Sequence, residues 1–183
     1  MGFQKGNILE PAMGTGNFFG ALPESMTGAR LYGVELDSLT GRIARLLYPK
    51  AEIQISGFEK TDFQDDFFDI AVGNVPFGNY QVADKRYDNK HFLIHDYFLA
   101  KALDKVRAGG VIAFITSKGT MDKANPKVRQ YLAERAELLG AVRLPNTAFK
   151  ANAGTEVSAD ILFFQKRESL TKEMPEWINL DSD

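Results

Sequence analysis

The sequence predicts an α/β fold in which a mostly parallel, seven-stranded sheet carries helices on both faces. Three observations support this class: apolar runs alternate with helical patterns, a Gly-x-Gly turn follows the first apolar run, and 44% of the 183 residues are hydrophobic. Alternating strands and helices are typical of a covered parallel sheet. We expect one domain over residues 1–167 and a linker or docking tail over residues 168–183.

The seven predicted strands are short apolar runs at residues 8–10, 31–35, 52–56, 68–73, 111–116, 139–144 and 159–165. One helix is predicted from a Ser38 cap to about Tyr48, and another over residues 92–106, closed by Gly109 and Gly110. A third begins at Asn125-Pro126. Two long loops, residues 74–91 and 145–158, follow strands at the sheet edge where ligands bind in open α/β folds.

The composition excludes several classes of function. Without cysteine the chain has no disulfide, thiolate zinc site or cysteine nucleophile, which agrees with a reducing compartment. No apolar run approaches the roughly 18 to 20 residues of a membrane span, so we expect a cytoplasmic protein without membrane contacts. His91 and His95 are four residues apart but have no evident third ligand, so we expect no metal site.

Residues 7–20, NILEPAMGTGNFFG, predict a nucleoside-cofactor site. The two glycines of the turn permit close backbone approach to a ligand. Glu10 at the strand end suits a positively charged ammonium or sulfonium group and would repel a phosphate, and Phe19 stands where a dinucleotide fingerprint has its third glycine. An ordinary strand-to-helix turn is the alternative. We expect S-adenosylmethionine to contact Glu10, Pro11, Ala12, Gly14, Gly16, Asn17 and Phe18.

The next two strand ends supply further cofactor contacts. Glu35 lies about 20 residues beyond the glycine turn, at the distance expected of a ribose-hydroxyl ligand. After the third strand, Phe58 offers a ring to cover a purine, and Glu59 offers a carboxylate to accept from its exocyclic amine. Asp62 is a competing acceptor. A surface position for Glu35 and core packing for Phe58 are the structural alternatives.

The fourth strand delivers Asn74-Val75-Pro76-Phe77 to the same edge. An aromatic amine is a poor nucleophile because its lone pair is delocalised into the ring. The Asn74 side-chain oxygen and the Val75 carbonyl, both aimed at the amine hydrogens, would localise that lone pair for attack on a methyl group. Pro76 stiffens the turn, and Phe77 offers a face to an extruded base.

Together these residues resemble the amino-group methyltransferases, and most closely the γ-class DNA adenine-N6 methyltransferases. The resemblance rests on EPAMGTGNFFG, on Glu35 and on a relative of the Asn-Pro-Pro-Tyr/Phe motif, with the cofactor motif first, and it covers roughly residues 8–166. It implies a Rossmann-like S-adenosylmethionine-dependent methyltransferase fold, transfer of a methyl group to adenine N6 in DNA, and a role for Phe149 in sandwiching the flipped adenine. AEIQISGFEKTDF and NVPFGNY also resemble the methylase part of large helicase-methylase proteins from bacterial mobile elements.

Three departures from the family pattern predict a catalytic-core fragment or a subunit that needs a partner. Val75 replaces the first proline of the motif, and both the N-terminal helical region and a target-recognition domain are missing. Lys85 and Arg86 are candidate phosphate contacts, but a net charge of −2 gives little attraction for DNA. We therefore expect weak DNA binding alone, with target recognition supplied by a flanking domain or partner subunit.

Two other functions agree with the same residues. An Asn-x-Pro-aromatic turn can serve any planar amine, so the acceptor can also be RNA or a protein glutamine. A catalytically weak cofactor-binding module inside a larger DNA-processing protein is the second alternative, and the departure at Val75 favours it.

Overall fold

The computed structural model describes residues 3–149 and 158–180. Its strands are β1 (Asn7–Glu10), β2 (Arg30–Glu35), β3 (Glu52–Ile55), β4 (Phe68–Asn74), β5 (Val106–Ser117), β6 (Ala136–Arg143) and β7 (Ala159–Lys166). Its α-helices are α1 (Asn17–Gly20), α2 (Ser38–Leu47), α3 (Ile94–Lys105), α4 (Gly119–Asp122) and α5 (Lys127–Arg135). Short 3₁₀ turns occur at Glu24–Met26, Phe58–Lys60, Asp88–Lys90 and Glu176–Ile178.

The seven strands form one sheet in the order β3-β2-β1-β4-β5-β7-β6. The first five strands pair in parallel, whereas β7 is antiparallel to both β5 and β6. The strand order therefore reverses between β1 and β4, which is where open α/β sheets form a ligand crevice. The prediction of a mostly parallel, seven-stranded sheet is confirmed.

The helices lie on both faces of this sheet, as predicted. One core cluster joins α3 and α5 to β1, β2, β4, β5 and β7; among its fully buried members are Leu9, Leu99, Leu103, Phe114, Leu132 and Phe164. A smaller cluster on the other face joins the turn after β1, α1 and α2 to β3 through Met13, Phe19, Ala44 and Ile53. Burial of these apolar side chains is the main favourable contribution to folding.

Two predicted helix boundaries are wrong. Asp37, not Ser38, caps α2, because its side-chain oxygen accepts the Thr40 amide at 2.8 Å. Helix α3 ends at Lys105, and the predicted stop at Gly109-Gly110 lies inside β5, next to an irregularity in its pairing with β4. Asn125 still supports the third helix, since its side chain accepts the Lys127 amide at 3.0 Å.

The first predicted loop is irregular apart from the turn Asp88–Lys90, and the second begins with a turn at residues 146–149 before residues 150–157, which lie outside the described residues. The tail over residues 168–180 reaches α5, where Arg129 Nε donates to the Ile178 carbonyl at 2.6 Å. Ile178 is 4% exposed, and the Trp177 ring packs 6.1 Å from Phe164. Across residues 3–149 and 158–180, none of the helices has the length and apolarity to cross a membrane.

Candidate active site

A cavity of about 320 Å³, here called the edge cavity, opens at the carboxyl ends of β1 to β4. It brings together seven of the predicted site residues: Pro11, Ala12, Glu35, Phe58, Glu59, Asn74 and Pro76. These residues come from four separate strand ends, and they meet because parallel strands present their carboxyl ends at one edge.

The glycine turn is joined directly to the acid at the end of β2. Gly14 and Gly16 have φ values of 55° and 88°, in the left-handed region that favours glycine. The Gly14 amide donates to Glu35 Oε2 at 2.8 Å, and the Asp37 amide donates to Glu35 Oε1 at the same distance. A carboxylate oxygen can accept two hydrogen bonds. Each Glu35 oxygen can therefore still accept one from a ligand hydroxyl.

Gly16 also meets a close neighbour that the sequence did not indicate. The Tyr48 hydroxyl donates to the Gly16 carbonyl at 2.7 Å. A β-carbon at position 16 would lie 2.4 Å from a Tyr48 ring carbon, so any other residue would require the Tyr48 ring to shift. Tyr48, at the C-terminal end of α2, therefore holds the glycine turn.

Glu10 is a buried acid whose chemistry fits a cationic ligand. It is 1% exposed, and its Oε2 has no hydrogen-bond partner among the described residues. Burial raises the pKa of the Glu10 carboxyl to about 8, although the backbone amides of Phe18 and Phe19 lower it in part. A nearby ammonium or sulfonium group would favour the ionised carboxylate, so this orphaned oxygen fits the cofactor that the sequence predicts.

Phe58 and Glu59 form the wall that follows β3. Phe58 is 2% exposed and packs with its ring centroid 5.1 Å from that of Phe98, so it belongs to the core and to the cavity lining at once. The Glu59 carboxylate folds over Gly57, where a β-carbon would lie 2.1 Å from Glu59 Oε1. Asp62 is exposed and does not line the edge cavity, so the geometry favours Glu59 as the acceptor.

The Asn74 to Phe77 turn leaves β4 at the mouth of the cavity. Asn74 is exposed and Pro76 lines the cavity. Val75 is 2% exposed, and its amide donates to the Ile115 carbonyl at 3.0 Å, which extends the pairing of β4 with β5 by one residue. Val75 therefore has a buried side chain and a bonded amide at the position where the motif that this turn resembles has proline. Phe77 is half-buried outside the lining.

The structure does not bring every predicted residue to the edge cavity. Glu10 ends β1, Gly14 and Gly16 lie in the turn that follows, and Asn17 and Phe18 begin α1; none of them lines the edge cavity.

The three predicted substrate contacts also lie elsewhere. Phe149 is half-buried in the turn after β6, and Lys85 is exposed in the loop after β4. Arg86 is held by two carboxylates, at 2.8 Å from Asp65 and 3.0 Å from Asp104. These two carboxylates oppose the charge of its guanidinium and so weaken it as a phosphate contact.

The far wall of the edge cavity comes from residues that were not assigned to the site from the sequence. Tyr80 and Val82 follow the Asn74 to Phe77 turn, and Ile94 and Phe98 belong to α3. The Ile94 amide donates to the Tyr80 carbonyl at 2.9 Å, which ties the loop to the helix. Apolar residues on an amphipathic helix predict a core face equally well, so no sequence signal marked Ile94 and Phe98 as cavity residues.

In the part of the chain that the structure describes, no cluster of three or more acidic or histidine side chains is placed to hold a metal ion.

Comparison with known proteins gives a family and two partial relatives. A family model described as N-6 DNA Methylase matches residues 3–180. The chain is 38% identical over 185 residues to Defense against restriction protein B of Escherichia phage P1, which covers 98% of this chain and 8% of that protein. It is 37% identical over 75 residues to Type II methyltransferase M.CvrRI of Paramecium bursaria Chlorella virus XZ-6E, covering 41% of this chain and 19% of that protein.

Among solved structures, the fold resembles the methyltransferase subunit of a type I restriction-modification system from Streptococcus thermophilus. The TM-score is 0.74 at 17% sequence identity, over 89% of this chain and 40% of that one. This likeness confirms the predicted fold class. The chain thus spans only a small part of the curated relatives that it matches and less than half of this structural neighbour.

Proposed function

Because this chain belongs to the N-6 DNA methylase family, we propose that it is the catalytic core of a site-specific, adenine-specific DNA-methyltransferase. The reaction is transfer of a methyl group from S-adenosylmethionine to the N6 amino group of adenine. The observation that carries this proposal is the edge cavity, which places the acids Glu35 and Glu59 and the Asn74-Pro76 turn around one space.

Different side chains of the edge cavity and of the adjoining strand end would contact different parts of the cofactor. Glu35 would accept from the ribose hydroxyls, Phe58 would cover the purine, and Glu59 would accept from the purine amine. Glu10 lies beside Gly73, where a β-carbon would be 3.7 Å from Glu10 Cγ, and its carboxylate would pair with the cationic part of the cofactor. When bound, the cofactor supplies an electrophilic methyl group on a sulfonium centre.

Asn74 and Val75 prepare the acceptor nitrogen. The Asn74 side-chain oxygen and the Val75 carbonyl accept hydrogen bonds from the two hydrogens of the amine, which localises the nitrogen lone pair toward the methyl group. The amide of Val75 is already bonded to Ile115, so the direction of this strand end is fixed before substrate arrives. Transfer would form the nitrogen–carbon bond as the sulfur–carbon bond breaks, which would leave the cofactor as a neutral thioether, and the nitrogen would then lose one proton to water.

Parts of the longer proteins outside this chain complete the activity. The chain spans 8% and 19% of its two curated relatives, and its own cations include Arg86, which is held by carboxylates. We infer that a flanking domain or partner subunit reads the DNA sequence and extrudes the adenine. Action on cytoplasmic DNA agrees with a chain that lacks cysteine.

A methyl-transfer assay on a longer protein that contains this chain tests the proposal. Duplex DNA should accept label from radioactive S-adenosylmethionine at adenine N6, and Asn74→Ala should lower turnover by about 100-fold or more with cofactor affinity nearly unchanged. Asn79→Ala, five residues further along the same loop, is the control and should retain turnover.

Each other outcome has a definite meaning. Label that enters only RNA or protein glutamine would replace DNA with one of those acceptors. Wild-type turnover from Asn74→Ala would contradict the assigned mechanism. Cofactor binding without transfer to any acceptor would show a catalytically weak binding module.

A further inference from the structure

A buried ion pair lies behind the edge cavity and has no part in the chemistry described above. Lys101, in the middle of α3, is 4% exposed, and its Nζ lies 3.1 Å from Asp84 Oδ2. The Tyr97 hydroxyl donates to the same carboxylate oxygen at 2.8 Å. The buried charge of Lys101 is costly unless it remains paired, so this contact is a strong constraint on the relative positions of α3 and residue 84.

Asp84 in turn fixes the loop that follows the catalytic turn. Its amide donates to Asp88 Oδ1 at 2.8 Å, and its own Oδ1 accepts the Arg86 amide at 3.2 Å. Its carbonyl accepts the amides of Tyr87 and Asp88. Tyr80 and Val82, just before it, line the edge cavity, so the position of Asp84 determines where this wall of the cavity lies.

Lys101 also contacts the opposite wall. Its Nζ lies 5.1 Å from the ring centroid of Phe58, within the range of a cation–π interaction. The Phe58 side chain also lines the edge cavity. One buried cation therefore touches both the ring proposed to cover the cofactor purine and the acid that organises the loop after Asn74.

We infer that Lys101 is a positioning residue that couples the purine side of the edge cavity to the loop at residues 77–91. A cofactor purine bound against Phe58 then stabilises the loop arrangement in which Tyr80 and Val82 form the wall of the edge cavity on the side of the acceptor base. This inference rests on the proposed function, because it takes Phe58 to contact the cofactor. The coupling is reciprocal: a loop held in place by Asp84 also favours cofactor binding.

Hydrogen exchange on the whole chain, with and without S-adenosylhomocysteine, tests the coupling. In the wild type the ligand should slow exchange both at the glycine turn and in residues 77–91. Lys101→Met should weaken ligand affinity by roughly 5- to 10-fold, a size typical of coupling between sites, and should abolish the slowing in the loop while keeping it at the turn. Lys101→Arg keeps the charge and should restore both responses.

Lys105→Met is the matched control. Lys105 lies one turn further along α3 and pairs with Asp65 at 2.8 Å and with the Phe63 carbonyl. It is absent from the lining of the edge cavity and is not paired with Asp84. This variant should lose stability without losing the response of the loop to ligand, which separates a positioning role from a structural one.

Asp84→Asn is the second variant, because its position is partly exposed and its side chain still accepts from Tyr97. It should also uncouple the loop from the ligand. A loop that still responds in both Lys101→Met and Asp84→Asn would overturn the inference, as would an equal loss in Lys105→Met. Failure of the wild type to bind S-adenosylhomocysteine in calorimetry would instead overturn the proposed cofactor site, so the two failures are distinguishable.

Discussion

At the scale of single residues, the site combines groups that are satisfied with one that is not. Glu35 already accepts two backbone amides, whereas Glu10 is buried with one oxygen unpartnered. The sequence predicted both acids because each ends a strand at the same edge of a parallel sheet. It did not predict the difference between them, because burial depends on the side chains that pack around the strand end.

The raised pKa of Glu10 has a consequence for stability. The folded-state pKa is about 8 against an ordinary value of 4.5, so the unfolded chain ionises first as pH rises. Stability therefore falls between these two values, by at most about 1.4 kcal/mol per pH unit, and the cost is fully present above the folded value. Glu10→Gln removes this cost, so thermal unfolding should show a larger gain over wild type at pH 9 than at pH 5.

Glu24→Gln, at an exposed position before β2, is the control for this measurement and should show the same small difference from wild type at both pH values. A gain for Glu10→Gln that does not change with pH would contradict the assignment of a buried, protonated acid.

At the scale of elements, strands were easier to predict than the contacts between loops. All seven apolar runs became strands, from β1, which is almost fully buried, to the edge strand β6, which leaves Leu139 and Val142 exposed. A short apolar run bounded by turn residues is the main sequence signal of a strand, whichever of these environments it occupies. Gly109-Gly110 was misread as a helix stop, since glycine is common after a helix end and equally common at an irregularity in a strand. The pairs Asp84–Lys101 and Arg86–Asp104 join residues 17 and 18 positions apart and leave no periodic signal in the sequence.

The turn between β1 and α1 carries the second prediction. Gly16→Ala places a β-carbon against Tyr48 at a φ of 88°, so both a clash and backbone strain oppose it. We expect a loss of about 2 to 4 kcal/mol of unfolding free energy from these combined effects. Chemical denaturation of the variant and the wild type measures this loss.

Gly14→Ala is the matched control, because its φ of 55° brings backbone strain while no atom lies within 4 Å of the new carbon. It should cost only about 1 to 2 kcal/mol. Equal losses in the two variants would contradict the role assigned to Tyr48.

At the scale of the whole molecule, the chain matches its family over nearly its full length but spans only part of its relatives. The match to the family model covers residues 3–180, yet the chain spans 8% of the phage relative. Composition predicted weak DNA binding from the net charge. The structure adds that Arg86, one of the two candidate phosphate contacts, is held by two acids.

The isolated chain should therefore bind duplex DNA weakly and without sequence preference. Few phosphates are neutralised, so little counterion is released and the dependence of affinity on salt should be shallow. Fluorescence anisotropy over a salt series measures both quantities, and Lys85→Ala should change them only slightly. A tight, sequence-specific complex at physiological salt would show that these residues alone form a complete DNA-reading enzyme.

The hydrogen bond between the Gly14 amide and Glu35 also bears on how quickly a ligand can enter. The glycine turn and Glu35 are already hydrogen-bonded to each other in the free protein. The conformational entropy of ordering this turn is therefore lost during folding and not during ligand binding. A ligand that reaches the β1–β2 corner meets a rigid receptor. Its capture there depends on diffusion and desolvation, with no slow rearrangement of the glycine turn.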